Sequence, residues 1–263
     1  MAVTKHGRLV TWVALFVGCA VLPPTDQKAL IVQAGHAQKA LAAMIPGREQ
    51  LTYSVSWLQF LQAGEVSLMS ERKKDSNGAE YRQIVLKGNS VGWVSSFIFD
   101  LEDRYESAVS LDTLLPFRVE NRWRKGATQE RTSVLIDQAA NQAKLPDGRV
   151  MRVPPRTYDV ASLFQALRSI DFDGKIHSFS LIDDATLFTV SAQFQGMEDV
   201  AVLSKSFSAA RIAIRAKEQE KPEQHTLQLY LSSDANRWPL IITAEPSWGR
   251  IRVELTSVRQ LSQ

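Results

Sequence analysis

A single cysteine in 263 residues forbids an internal disulfide, and four histidines scattered along the chain leave too little material for a zinc cluster. The longest apolar run, Leu9 to Leu22, is 14 residues and falls short of the roughly 20 that a membrane-spanning helix needs. The Gly-x-Ser-x-Gly elbow of the serine hydrolases is absent. So is the one-sided positive field with which proteins grip nucleic acid, because 31 basic residues face 28 acidic ones. Disorder is excluded from the other direction: 44% of the residues are hydrophobic, enough to bury a real core.

The N-terminus carries what the rest of the chain lacks. Lys5, His6 and Arg8 precede the apolar run, and Pro23-Pro24 follows it, the layout of an export signal. Two processing routes compete at Cys19. Gly18-Cys19-Ala20 places small residues for cleavage after Ala20, and Gly35-His36-Ala37 offers a later site. Alternatively, Phe16-Val17-Gly18-Cys19 is similar to a lipobox, which would make Cys19 the lipid-bearing first residue of the mature protein. The expected location is the periplasm, either soluble or as a membrane-anchored lipoprotein facing it. Loss of Lys5 and Arg8 turns 31 basic residues into 29 against 28 acidic, a net of +1, so the basic character belongs mostly to the signal. The expected organisation is a signal peptide over 1–20 (or a lipoprotein signal over 1–18), a helical or flexible tether over 21–46, and one β-rich domain over 47–263.

From Leu51 onward the pattern has period two, with Tyr53, Val55 and Trp57 alternating with Thr52, Ser54 and Ser56, which marks a half-buried strand. Similar segments recur at 64–72, 80–88, 98–109, 117–125, 128–137, 140–145, 175–182, 186–195, 197–204, 207–216, 225–232, 238–244 and 249–258. Turn sequences such as Ser76-Asn77-Gly78, Pro146-Asp147-Gly148 and Asp173-Gly174 separate many of them. One segment has a different period: Val160, Leu163, Phe164 and Leu167 follow the i, i+3, i+4, i+7 spacing of an amphipathic helix, with Thr157 or Asp159 as N-cap. The expected fold is mainly β: an antiparallel curled sheet, an incomplete barrel or β-spiral, around one central amphipathic helix at about 159–169.

Three local patterns then resemble a known family. They are Gly47-Arg48-Glu49-Gln50-Leu51-Thr52-Tyr53 with Ala63-Gly64-Glu65-Val66, the Asp-x-x-Ser helix Asp159-Val160-Ala161-Ser162 with its closing Leu167-Arg168, and the turn Asp234-Ala235-Asn236-Arg237-Trp238-Pro239. In order and spacing they resemble the bacterial envelope proteins grouped as domain of unknown function 3108. Arg48 stands between a glycine and a glutamate that are usually adjacent, and Phe164 occupies a place where the family's helix usually has Tyr. The resemblance implies an exported, β-rich protein, brings no catalytic residues with it, and singles out Asp159, Ser162, Arg168, Asp234, Arg237 and Pro239 as motif positions.

The remaining chemistry is sparse. Ser162, His177 and Asp183 could be arranged as a hydrolytic set, but Ser162 lies on a helix where capping or packing is the commoner role. Asp171 and Asp173 do not continue into a calcium loop, since Lys175 takes the third ligand place, and Asp183-Asp184 reads as a solvated hairpin tip. Arg118, Arg122 and Arg124 alternate with Phe117, Val119, Asn121 and Trp123, placing the arginines outside and the apolar residues inside, with anionic headgroups or polysaccharide as the functional alternative to simple solvation. No metal or cofactor is expected. The leading expectation is a non-enzymatic envelope protein that binds a hydrophobic or amphipathic ligand, or a protein partner, in envelope maintenance. Tyr53, Trp57, Trp123, Leu163, Phe164 and Leu167 would line the ligand site if the sheet leaves a gap beside its helix. The alternatives are an envelope hydrolase using Ser162 and His177, and a scaffold within an envelope complex. Neither nucleic acid nor, without lipidation of Cys19, a membrane is an expected partner.

Overall fold

A computed structural model of the chain describes residues 45–58, 61–90, 101–125, 128–219, 221, 224–246 and 249–261. The export signal, Cys19 and the tether as far as residue 44 lie outside the described residues. Among the described residues, fifteen strands form one sheet. The first eight are β1 (Arg48–Trp57), β2 (Leu61–Lys74), β3 (Glu80–Ser90), β4 (Leu101–Val109), β5 (Pro116–Lys125), β6 (Thr128–Asp137), β7 (Gln142–Lys144) and β8 (Val150–Arg152). Next come β9 (Thr157–Tyr158), helix α1 (Val160–Ala166) with a 3₁₀ turn over Leu167–Ser169, β10 (Ile176–Asp183), β11 (Thr186–Val202) and β12 (Lys205–Glu218). Strands β13 (Gln224–Ser232), β14 (Pro239–Ala244) and β15 (Ile251–Leu261) complete the chain. No helix among the described residues is long and apolar enough to cross a membrane.

The topology explains the curl. The sheet runs β8-β7-β6-β5-β4-β3-β2-β1-β15-β14-β13-β12-β11-β10-β9, so paired strands are sequence neighbours except where β1 meets β15, and β8 and β9 are left as the two edges. Every pairing is antiparallel but β9 on β10. The two edge strands, β8 and β9, are separated by residues 153–156 alone, a span of at most about 17 Å even when extended. The edges of the sheet are therefore drawn together, and the sheet becomes a barrel with a seam. Side chains close that seam in place of a backbone ladder: Gln138 Nε2 donates to the carbonyls of Thr157 at 2.8 Å and Pro116 at 2.9 Å, and Thr132 Oγ1 donates to Asp184 Oδ1 at 3.0 Å.

Register shifts let so wide a sheet bend, since each extra residue kinks its strand and increases the local twist. Ala63, Thr256, Gln195, Leu240 and Phe117 are skipped where β1 meets β2 and β15, β11 meets β12, β13 meets β14 and β4 meets β5. The shift beside Gln195 falls at Gly196, φ 139°, and there the expected strands 186–195 and 197–204 prove to be one strand bent at a glycine. Close strand approach accounts for another glycine: a Cβ on Gly64 would sit 2.8 Å from the backbone oxygen of Asn89 on β3.

Alternation sends Leu51, Tyr53 and Val55, Val66 and Leu68, Ile84 and Leu86, and Leu227, Leu229 and Leu231 into the interior, all of them buried. The helix lies within this lining. Residues 161–168 are buried without exception and Val160, the first residue of α1, is half-buried, so the helix is enclosed by the sheet over nearly its whole length. Ala161 and Ala166, both at zero exposure, have no bulk to hold the neighbouring strands away.

Candidate functional site

Asp159, not Thr157, caps the helix, and it does so through a reciprocal box. The Asp159 carboxylate accepts from Ser162 N at 2.9 Å, while Ser162 Oγ accepts from Asp159 N at 2.9 Å. The Asp-x-x-Ser motif is thus the signature of a helix start. Ser107 Oγ on β4 also donates to the Asp159 carboxylate, tying the cap to the sheet. Burial pushes this carboxyl up to about 6, against the hydrogen bonds from Ser107 and Ser162 that favour its charged form.

At the other end of the helix the three motifs converge. Arg168, in the 3₁₀ turn, forms a bidentate pair with Glu49 on β1, Nη1 to Oε2 at 2.6 Å and Nη2 to Oε1 at 3.3 Å, with both residues essentially without exposure. Its Nη1 also donates to Gln165 Oε1 at 2.9 Å and its Nη2 to the Asn236 carbonyl at 2.6 Å. Trp238 Nε1 donates to Glu49 Oε1 at 3.2 Å. The turn that presents Asn236 and Trp238 is built by Asp234, whose Oδ1 accepts from Ser232 Oγ and from the backbone of Asn236 and Arg237 at 2.8, 3.0 and 3.3 Å. Arg237 sits at φ 48° and reaches back to the helix exit, donating to the Ile170 carbonyl at 2.6 Å with its guanidinium 4.2 Å above the ring of Phe172. Pro239, buried opposite Leu231, starts β14 directly afterwards.

A second buried guanidinium completes the cluster. Arg82 on β3 donates from Nη1 to Ser70 Oγ at 3.0 Å and to the Pro46 carbonyl at 3.1 Å, and from Nη2 to the Ile45 carbonyl at 3.3 Å. It therefore clamps the chain where it enters β1. Desolvation pushes it down to about 10, helped by the positive charges of Arg72 and Arg168 and opposed by Glu49.

The structure brings four of the six expected ligand-lining residues to one place, as core. Tyr53 lies edge-on to Phe164, ring centroids 6.5 Å apart, and Leu163, Phe164 and Leu167 are buried among the sheet's apolar lining. Trp57, at the last residue of β1, and Trp123, near the end of β5, are half-buried. The Ser162 hydroxyl is fully buried, and its hydrogen bonds are all with Asp159; His177 instead lies 3.6 Å from Asp173. Among the described residues the cap thus occupies the Ser162 hydroxyl, and His177 is not one of its hydrogen-bond partners.

Phe117 departs from expectation. Strict alternation places it inside with Val119, yet it is 42% exposed. The cause is the register shift at which Ala108 pairs with Arg118 and Val109 with Pro116, leaving Phe117 as the extra residue turned outward.

The seam holds a second polar group. Tyr105, Asn121, Thr132, Ile182 and Asp184 wall a cavity of about 10 Å³, room for one water. Asp183 and Asp184 are half-buried here rather than solvated at a hairpin tip. Burial, reinforced by the charges of Asp184 and Asp159, pushes the Asp183 carboxyl up to about 7. A carboxyl that holds its proton more tightly folded than unfolded favours the fold in acid, and that contribution is lost as pH rises from about 4 towards 7. Asp183→Asn is accordingly expected to stabilise the protein at pH 8 by about 1–3 kcal/mol, a figure discounted for partial exposure, and to change little at pH 4. Thermal melts at the two pH values check this, and equal shifts at both would contradict it.

The sequence singles out Arg168 as a motif position but gives no role to its partners Glu49 and Gln165 or to Trp238, which donates to Glu49, and it leaves Arg82 unmarked. A signal was available: Glu49 stands two residues before Leu51 and Arg82 two before Ile84, so period two puts both charges on the apolar face.

Similar proteins fit this architecture. A β-barrel-like protein of domain of unknown function DUF1849 from Brucella abortus superposes with a TM-score of 0.57 at 10% identity, over 82% of this chain and 98% of that one, which shows the fold. A candidate lipoprotein from Parabacteroides distasonis gives a TM-score of 0.35 at 9% identity, over 82% of this chain and 98% of its own. A candidate exported protein with a YmcC-like fold from Bacteroides fragilis gives 0.33 at 8% identity, over 82% and 96%. Agreement that low adds nothing to the argument. No curated protein matches the chain. The family described as protein of unknown function (DUF3108) matches residues 52–256, from the first strand to the last, and the chain belongs to that family.

Proposed function

We propose that this is a non-enzymatic protein of the bacterial cell envelope that acts through the outside of a filled β-shell. The observation that carries this reading is the burial of residues 161–168, including Leu163, Phe164 and Leu167, in the space where a ligand would lie. An acyl chain needs a cavity of several hundred cubic ångströms to enclose it, whereas the cavity at the seam has room for a single water and the larger groove of about 470 Å³ beside Phe117 is open to solvent. Four buried ionisable groups support the same reading: Asp159 caps the helix, Glu49 and Arg168 pair with one another, and Arg82 clamps the incoming chain. Placement in the envelope is supported by Lys5, Arg8 and the apolar run after them, which have the form of an export signal.

Native mass spectrometry of protein purified without detergent from its own periplasm tests the proposal. The expected spectrum is ligand-free apart from any acyl group on Cys19, with no uptake of a fluorescent fatty acid. A stoichiometric lipid retained within the fold would overturn it.

A further inference from the structure

We propose that the outer face of β5 to β8 docks onto an anionic lipid bilayer. Five large apolar side chains are exposed among the described residues, and three of them, Phe117 at 42%, Leu135 at 49% and Val150 at 59%, belong to this corner of the sheet. The register places them together. Arg118 pairs with Leu135, Leu135 with Lys144, and Lys144 with Val150, and residues directly opposite in antiparallel strands share a face. Leu135 and Val150 are thus two strands, or about 10 Å, apart. Arg152, two residues beyond Val150, lies on the same face, and Phe117 joins it because the bulge turns its ring outward against Tyr81, 5.8 Å between centroids. That ring also walls an open groove of about 470 Å³ floored by Leu115 and Ile136.

The charges select the occupant. Arg118, Lys144 and Arg152 are exposed and have no ion-pair partner among the described residues. Three acidic groups around this face are engaged: Glu120 by Arg122 and Arg131, with the charge of Arg118 also acting on it, Asp137 by the N–H groups of Ala139 and Ala140, and Asp147 by Arg149, while Asp112 in the β4–β5 turn is exposed. By contrast, the arginines flanking β14, Arg250 and Arg252, have carboxylate partners in Glu245 and Glu254. Apolar side chains interleaved with unpaired cations are complementary to a headgroup region of anionic phospholipid, where the side chains insert and the cations meet phosphate. The proposal rests on the reading that the working surface is external, and it requires no lipid on Cys19.

Vesicle flotation tests it, with protein purified from the periplasm, its basic leader removed, on phosphatidylglycerol–phosphatidylethanolamine vesicles against pure phosphatidylcholine. An acyl anchor would bind both alike, so the ratio reports this face. The expected ratio is about tenfold or more at low salt, collapsing at high salt. The triple change Phe117→Ser, Leu135→Ser and Val150→Ser, and separately Arg118→Glu with Lys144→Glu, should bring it near one while the melting temperature stays put. Arg215→Glu with Lys217→Glu on β12 alters net charge equally and should leave the ratio intact. A ratio of one for the wild type, a loss in the β12 control as large as at the patch, or a self-associated dimer abolished by the patch changes without vesicle binding would each overturn the proposal. Lipid found inside the fold would instead sink the external reading, so the two failures are separable.

Discussion

Arg168→Met is expected to destabilise the protein by about 3–5 kcal/mol at neutral pH, the effect of removing one partner from a buried ion pair and leaving the other charge uncompensated. For a chain of this size that is a fall in melting temperature on the order of 10 °C. Arg168 has 2% side-chain exposure and Glu49 none, so water cannot replace the lost contacts. The stranded group is a carboxylate, and a loss due to its uncompensated charge is told from a loss of packing by removing the carboxylate as well. Replacing both partners, Glu49→Leu with Arg168→Met, should recover much of the stability but not all, because Trp238 Nε1 and the Asn236 carbonyl would lose their bonds to the pair. Urea unfolding of the wild type and the two variants at neutral pH measures this. A single-variant loss under about 1 kcal/mol would show that the pair is solvated.

That network also shows how far the sequence could be read. Period two exposed the strands because one face of the sheet is buried along most of its length, and i, i+3, i+4, i+7 spacing exposed the helix. The strands β8 and β9 escaped because three and two residues are too short to show a period. Phe117 was misplaced because a bulge, which inverts the alternation, is set by the partner strand and leaves no mark in a single segment. The motifs themselves were legible as words without syntax. Glu49, Arg168 and Asn236 lie 119 and 68 residues apart in the pairs that join them, and only the closure of β1 onto β15 and the return of the chain through α1 bring them into contact.

Once assembled, the motifs have a common physical task. A helix of seven residues with one 3₁₀ turn is too short to be stable alone. Its start is held by Asp159, Ser162 and Ser107, and its end by Glu49 and by the turn carrying Asn236, Arg237 and Trp238. Each anchor comes from a different stretch of chain, so the helix fastens the first strands to the last ones across the barrel interior. The interior is thereby filled and cross-linked, while the outer corner over β5 to β8 carries the exposed side chains of Phe117, Leu135 and Val150.

Phe164→Ala separates a filler helix from a lid. If α1 is core, truncating a ring that is 8% exposed and packed edge-on to Tyr53 removes transfer energy and leaves a void, costing about 3–5 kcal/mol. The void would be dry, on the order of 100 Å³, and able to take up benzene or xenon but not a fatty acid. Were α1 instead a lid over a latent groove, the same truncation would loosen the closed state, cost little stability and raise fatty-acid uptake. The anchors at both helix ends argue for the first outcome, since a lid held by a buried ion pair, a capping box and an arginine on the Ile170 carbonyl would have to break all three to open. Melting temperature and fatty-acid titration on this one variant decide between them: a large fall with no uptake fits the filled shell, and uptake at nearly unchanged stability would refute it.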